Sequence, residues 1–171
     1  MNIVLVGYRG CGKTTIGRRL ADSLWQKYID LDDRIVASAG KTIREIFQQD
    51  GQEHFRDLET AALEEVLKED GRVIGLGGGT VVREQNRRML KESGCRTIYL
   101  RCEPEVLLQR IQADPQTAQM RPNLTELGGG IEEIRLKLAE REPLYRQVAD
   151  AELDVSNLTE QEAVAHLARM I

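Results

Sequence analysis

The chain has 171 residues, which fits one domain built around one hydrophobic core. Its formal net charge of −4 gives no bulk attraction to nucleic acid or to an anionic membrane, so a small anionic substrate would need a local cluster of arginines. Three cysteines without paired spacing and two histidines argue against a disulfide framework and a zinc site, and they fit a reducing compartment.

The sequence lacks the features of targeting and membrane-spanning segments. Its N-terminus has no basic region followed by a long apolar stretch, and no run approaches the roughly 18 apolar residues of a membrane span. No basic stripe or base-stacking motif predicts a nucleic-acid partner. We therefore expect a cytoplasmic protein that acts on small molecules, with neither nucleic acid nor membrane as a partner.

Short β-branched runs alternate with longer helical patterns along the chain. Strands are expected at residues 2–6, 28–31, 72–76, 96–100 and 152–155. Helices are expected at residues 14–25, 32–39, 43–49, 52–68, 83–93, 104–112, 131–148 and 159–171. This order predicts an α/β fold in one domain over residues 1–171, a three-layer sandwich in which a five-stranded parallel sheet is flanked by helices.

Two local patterns add to this outline. Thr159 and Glu162 have the spacing of a capping box, which predicts that the last helix begins there. Residues 113–130 lack any periodicity, and a connection of that length in a compact domain is usually functional or disordered. Since ligands of parallel sheets bind at the carboxyl ends of the strands, we expect the chemistry just after the predicted strands.

The strongest motif is a phosphate-binding loop at residues 7–14, GYRGCGKT, between a predicted strand and a predicted helix. It matches G-x-x-x-x-G-K-[ST] without a mismatch. Its glycines let backbone N–H groups surround phosphate oxygens, and the helix that follows adds its positive dipole end. Lys13 is expected to reach the β- and γ-phosphates and Thr14 to bind Mg²⁺, whereas Cys11 is interpreted as a small filler residue.

The loop predicts a nucleoside triphosphate but leaves the phosphate acceptor open. Asp30 and Asp32 lie at the end of the second predicted strand, where positions i and i+2 share a face. One carboxylate could hold Mg²⁺ through water while the other accepts a hydroxyl proton. The alternative is that Asp32 or Asp33 caps a helix, and for Asp33 we prefer the capping interpretation.

Further along, Gly77, Gly78 and Gly79 follow the third predicted strand, either as a tight turn or as exposed backbone that a ligand can approach closely. Arg56 and Arg141 lie in helical patterns, where an isolated arginine is usually a solvated charge. Taken one at a time, these features do not identify a substrate.

Together, however, these segments resemble shikimate kinases, within the nucleoside-monophosphate-kinase-like P-loop proteins. The matching segments come in the family's order and span residues 3–150: GYRGCGKTTIGRRLA, YIDLDDRI, IREIFQQDGQEHFRDLE, VIGLGGGTV, MRPNL and EREPLYRQVAD. The phosphate loop is common to many enzymes. The combination of D-x-D, F-R-x-x-E, G-G-G and R-x-P-L-Y is much more specific.

The resemblance implies ATP-dependent phosphorylation of the shikimate 3-hydroxyl to give shikimate 3-phosphate and ADP, a step of chorismate and aromatic amino acid biosynthesis. It implies a monomeric P-loop kinase that uses ATP as co-substrate and Mg²⁺ as cofactor, with a lid at about residues 112–127. One alternative is another small-molecule P-loop kinase, acting on gluconate or a nucleoside monophosphate, which should lack the F-R-x-x-E, G-G-G and R-x-P-L-Y set. The other is a non-catalytic nucleotide-binding regulatory module.

The resemblance also implies roles for individual residues. Catalysis is implied for Asp32, Lys13 and Arg121. Shikimate binding is implied for Asp32, Arg56, Gly77, Gly78, Gly79 and Arg141, with Glu59 positioning Arg56 and with Phe47 and Phe55 as an apolar wall. Nucleotide binding is implied for Gly10, Cys11, Gly12, Lys13, Thr14, Thr15, Arg110 and Arg121. Metal binding is implied for Thr14 and Asp30.

Overall fold

The computed structural model describes residues 1–115 and 128–171. The strands in these ranges are β1 (Ile3–Val6), β2 (Lys27–Asp30), β3 (Arg72–Gly75), β4 (Arg96–Arg101) and β5 (Ala151–Asp154). The helices in these ranges are α1 (Lys13–Ser23), α2 (Leu31–Ala39), α3 (Ile43–Gln49), α4 (Gln52–Leu67), α5 (Glu84–Glu92), α6 (Pro104–Ala113), α7 (Ile131–Val148) and α8 (Glu160–Met170), with a 3-10 turn at Thr80–Val82.

The strands form one parallel sheet in the order β2-β3-β1-β4-β5, which confirms the predicted five-stranded parallel sheet. The central strand β1 is an unbroken apolar run that is buried along its whole length, as expected for a strand covered on both faces. Helices flank the sheet in two groups: α1 packs against α8, while α5 packs against both α4 and α7. None of the helices in the described ranges is long and apolar enough to cross a membrane.

The strand order determines which segments of the chain meet at the candidate site. All the strands run in the same direction, so the segments that follow β1, β2 and β3 leave the sheet at one edge. β1 lies between β3 and β4, with Leu5 beside Gly75 and Val6 beside Tyr99. The phosphate loop, the Asp30–Asp32 segment and the three glycines therefore meet at this edge, where ligands of such sheets bind.

The end of β2 differs from the prediction. The strand stops at Asp30 and α2 begins at Leu31, so Asp30 and Asp32 do not share a strand face. Asp30 is itself the N-cap of α2, because its Oδ1 accepts hydrogen bonds from the N–H groups of Asp32 at 3.0 Å and Asp33 at 3.4 Å. The expectation that Asp32 or Asp33 caps this helix is therefore wrong.

Three other helix features are informative. The capping box predicted for Thr159 and Glu162 is confirmed. Helix α7 continues through Pro143, which costs it one backbone hydrogen bond but does not end it. Helix α1 ends in a Schellman motif, in which Gln26 N–H donates to Ala21 O at 2.9 Å while Trp25 takes a left-handed φ of 56° and is 97% exposed.

Candidate active site

Two adjoining cavities open at the carboxyl edge of the sheet. The larger, of about 470 Å³, is lined by the phosphate loop, the start of α2 and the segment after β5. The second is a cleft between α2, α3, α4 and α7. The lining residues that the two cavities share are Arg9, Asp32, Gly77 and Gly78. A group transferred from one cavity to the other would therefore pass Asp32.

The phosphate loop is shaped by glycines in backbone conformations that other residues rarely adopt. Gly10 and Gly12 have φ values of 86° and 95°, and Gly12 is the N-cap of α1. A Cβ at Gly7 would lie 2.7 Å from the carbonyl oxygen of Leu100, so the loop also lies against β4 too closely for a side chain. These conformations give the loop the exposed backbone of an anion site at a helix N-terminus.

Lys13 lies across its own loop. Its Nζ donates to the carbonyl oxygens of Gly7 at 2.6 Å and Tyr8 at 3.0 Å, and it lies 3.6 Å from Cys11 Sγ. Cys11 is fully buried, which agrees with its interpretation as a filler beneath the loop. The ammonium group therefore lies next to the predicted phosphate position, where carbonyl groups of its own loop accept hydrogen bonds from it.

Thr14 and Asp30 supply hard oxygen ligands beside the loop. Thr14 Oγ1 donates to Asp30 Oδ2 at 3.1 Å, and both residues line the larger cavity. The described residues contain no cluster of three or more His, Cys, Asp or Glu side chains that could hold a metal alone. This donor set fits Mg²⁺, which keeps several waters and takes further ligands from phosphates.

Asp32 lies in the first turn of α2, is almost buried, and faces both cavities. A Cβ at Gly77 would lie 3.0 Å from its Oδ1, so the glycine segment passes close to this carboxylate. Asp33 is exposed and lines neither cavity. Partial desolvation of its carboxyl group, together with the nearby charge of Asp30, raises the pKa of that group. Of the two neighbouring aspartates, Asp32 is the one placed for chemistry.

Arg56 is held in the cleft by a buried ion pair. Its Nη1 donates to Glu59 Oε1 at 2.6 Å, and Thr80 Oγ1 donates to Glu59 Oε2 at 2.8 Å. A Cβ at Gly79 would lie 2.4 Å from Arg56 Nη2, so the guanidinium lies directly against the glycine backbone. Glu59 therefore positions Arg56, and Gly79 provides the space that Arg56 occupies.

Arg141 completes the cleft from helix α7. Its side chain is 7% exposed and lines the cleft with Arg56. Phe47 and Phe55, whose ring centroids are 4.9 Å apart, form an apolar part of the lining. The structure thus brings together around one small space the residues that were expected to bind shikimate.

Sequence reasoning missed a third arginine in this cleft. Arg9 lines both cavities, and its Nη2 lies 3.6 Å from Oε2 of Glu133, which is fully buried in the first turn of α7. The phosphate-loop pattern leaves residue 9 unspecified, and an acidic residue at the start of a helix usually only complements the helix dipole. No local pattern could have paired them.

Sequence reasoning also missed Tyr145, which lies in the segment EREPLYRQVAD. Its hydroxyl donates to the carbonyl oxygen of Gly78 at 2.5 Å, and its ring stacks on Tyr99 with centroids 5.0 Å apart. Burial raises the pKa of Tyr145, against the opposing effect of the Arg141 charge, so its hydroxyl stays a donor at neutral pH.

Among the expected nucleotide contacts, Arg110 bridges two walls of the larger cavity. Its guanidinium donates to Cys11 O at 3.2 Å and Val155 O at 3.4 Å. Gly10, Gly12 and Thr15 line the same cavity. Arg121 lies outside the described residues, and so does the expected lid except for residues 112–115.

Comparison with known proteins identifies relatives over nearly the whole chain. The shikimate kinase family model matches residues 9–171. A shikimate kinase of Rhodopirellula baltica is 42% identical over 168 residues, covering 98% of this chain and 89% of the relative. A shikimate kinase 2 of Enterobacter sp. is 42% identical over 166 residues, covering 96% and 92%. The structure of shikimate kinase from Acinetobacter baumannii in complex with shikimate has a TM-score of 0.91 at 34% identity, covering 99% and 91%.

Proposed function

Because the chain belongs to the shikimate kinase family, and so transfers a phosphoryl group from ATP to shikimate with Mg²⁺, we propose that the larger cavity binds ATP and the adjoining cleft binds shikimate. The observation that carries this assignment is that the two cavities share Asp32, Gly77 and Gly78. A hydroxyl bound at this boundary faces the phosphate loop on one side and a carboxylate on the other. Family membership favours this function over a gluconate kinase, a nucleoside monophosphate kinase or a regulatory module.

Asp32 is the general base or orienting group for the 3-hydroxyl of shikimate. Phosphoryl transfer leaves the protein little covalent work, so holding the nucleophile in line and neutralising charge account for most of the catalysis. A carboxylate at the shared boundary is within reach of a hydroxyl in the cleft, and it can accept the proton as the bond to phosphorus forms.

The shikimate carboxylate pairs with Arg56 and Arg141. Guanidinium groups match the planar geometry of a carboxylate, and both are nearly buried, where a charged hydrogen bond is strong. The backbone of Gly77, Gly78 and Gly79 lies against the ring, and the phenylalanines cover its apolar face. Arg9 adds positive charge where the two cavities join.

On the nucleotide side, the loop residues Gly10, Cys11, Gly12 and Thr15 surround the phosphates through their backbone, and Lys13 leaves its carbonyl partners to contact them. Thr14 and Asp30 hold Mg²⁺, which neutralises phosphate charge when bound. Arg110, between the phosphate loop and Val155, packs against the base. Arg121 contributes a positive charge to the phosphates, and the lid at about residues 112–127 excludes water.

The chain works as one domain over residues 1–171, as a monomer in the cytoplasm. Its acidic net charge and its unpaired cysteines support this proposal.

A coupled ADP-release assay with ATP and Mg²⁺ tests the function. We expect release that depends on shikimate and no stimulation by gluconate or nucleoside monophosphates. Turnover with one of the other acceptors alone would keep the kinase fold but overturn the substrate. ATP binding without turnover on any acceptor would favour the regulatory module.

A further inference from the structure

The glycine segment between the two cavities has little local restraint, because three consecutive residues have no side chains. Two of its carbonyl groups are held by the turn that follows: Thr80 N–H donates to Gly77 O at 3.1 Å and Val82 N–H donates to Gly79 O at 3.0 Å. The carbonyl of Gly78 is held by a side chain, the hydroxyl of Tyr145, at 2.5 Å. Tyr145 thus fixes the one carbonyl of this segment that the turn does not.

This contact sets the direction of a peptide group that lines the cleft. The peptide between Gly78 and Gly79 is trans, so its C=O and N–H point in opposite directions. With the oxygen turned toward the buried Tyr145, the Gly79 N–H turns away from α7. Within residues 1–115 and 128–171 no protein acceptor takes that N–H, which leaves it available to a ligand.

Tyr145 and Arg141 are four residues apart on α7, a spacing that puts both side chains on one face of the helix. One helix therefore carries a guanidinium of the cleft and the phenol that orients the glycine segment. A shift of α7 would move both groups together.

We propose that Tyr145 is a positioning residue for the phosphate acceptor, whose buried hydroxyl orients the Gly78–Gly79 peptide so that the segment presents its amide to shikimate. This inference rests on the proposed function of the cleft. It assigns to the tyrosine a role in substrate affinity, in addition to its role in packing.

Tyr99 provides a matched control. It is as buried as Tyr145, its ring stacks on Tyr145, and its hydroxyl also makes one hydrogen bond, to Glu142 Oε2 at 3.0 Å. That bond does not involve the glycine segment, and Glu142 keeps its ion pair with Arg146 when it is lost. Tyr145→Phe and Tyr99→Phe each remove one buried hydroxyl from the same stacked pair. Tyr145→Phe releases Gly78 and also removes the hydroxyl that interacts with the Arg141 guanidinium, so the amide resonances of the glycine segment are needed beside the kinetics.

Steady-state kinetics and amide spectra of both variants test the proposal. We expect Tyr145→Phe to raise KM for shikimate about twofold to twelvefold, the usual loss for one hydrogen bond, with KM for ATP unchanged. Tyr99→Phe should keep both KM values. The two variants should lose similar amounts of thermal stability, because each removes one buried hydroxyl. In the ligand-free protein, the Gly78 and Gly79 amide resonances should shift in Tyr145→Phe and stay in place in Tyr99→Phe.

A wild-type KM for shikimate in Tyr145→Phe would overturn the proposal, and so would an equal rise in Tyr99→Phe, which would indicate a packing effect. The amide spectra separate this failure from failure of the proposed function. If the wild-type protein does not phosphorylate shikimate, glycine amides that do not respond to Tyr145→Phe overturn the positioning role on their own.

Discussion

The donor and acceptor halves of the site are built in different ways. The donor half is local: residues 7–14 form a continuous loop whose shape is set by glycine backbone conformations and whose lysine contacts its own carbonyls. The acceptor half is assembled from side chains on α2, α4 and α7 and from the segment after β3, and two buried arginine–glutamate pairs hold it. The donor half depends on local backbone geometry. The acceptor half depends on ion pairs between residues that only the tertiary fold brings together.

This difference predicts that acceptor-side substitutions will change stability and shikimate kinetics together while leaving ATP binding intact. The substitution that should have the largest effect is at the boundary of the halves. We expect Asp32→Asn to lower kcat by about 10²- to 10⁴-fold, because the amide cannot accept the hydroxyl proton, while ATP affinity measured by calorimetry is unchanged.

Asp33→Asn is its control, since Asp33 is adjacent in sequence but lines neither cavity. It should keep wild-type turnover. Near-normal kcat in Asp32→Asn, or an equal loss in Asp33→Asn, would show that Asp32 is not the base.

The buried pair on α4 gives the next prediction. Glu59→Gln leaves the Arg56 charge without its buried partner, which should lower the free energy of unfolding by about 3–5 kcal/mol in urea titrations. KM for shikimate should rise at the same time because Arg56 is no longer held. KM for ATP should not change.

Glu65→Gln on the same helix removes a pair of the same i,i+3 spacing, with Lys68, that lies at the surface. It should change stability by less than about 1 kcal/mol and leave KM unaffected. If Glu59→Gln and Glu65→Gln lose the same stability and have the same KM for shikimate, the buried Arg56–Glu59 pair is no more important than a surface pair.

A smaller effect is expected at Gly79. In Gly79→Ala the new methyl group would displace the Arg56 guanidinium, which lies 2.4 Å from its position, so KM for shikimate should rise about tenfold. Gly130→Ala is a matched change at a position where φ is −82° and a Cβ would meet no atom of residues 1–115 and 128–171 within 4 Å. Gly130→Ala should leave KM for shikimate unchanged. A wild-type KM for shikimate in Gly79→Ala would mean that Arg56 can move aside without weakening substrate binding.

The difference between the local donor half and the assembled acceptor half also determines what could be predicted from the sequence. Each strand end was located to within one residue, because apolar runs between glycines and polar turns are a local signal, and the phosphate loop was found for the same reason. The end of β2 was misplaced because Asp30, Asp32 and Asp33 are all acceptable caps, and the choice depends on where pairing with β3 ends.

The acceptor half could not be derived from local pattern. Arg9 with Glu133, and Tyr145 with Gly78, join residues far apart in the chain, and each residue alone has an ordinary structural interpretation. Arg56 and Arg141 were identified through resemblance, since a helical arginine gives no sign of which cleft it faces. These contacts could not be predicted because the two partners of each contact lie far apart in the sequence.

The left-handed residue that ends α1 has a consequence for optical measurements. Trp25 is the single tryptophan, and its indole stands in water away from both cavities. We expect its fluorescence to resemble that of free indole and to respond weakly to ligands and to unfolding. Tyr8, Tyr99 and Tyr145 are buried, so tyrosine circular dichroism in the near ultraviolet is the signal that follows this fold.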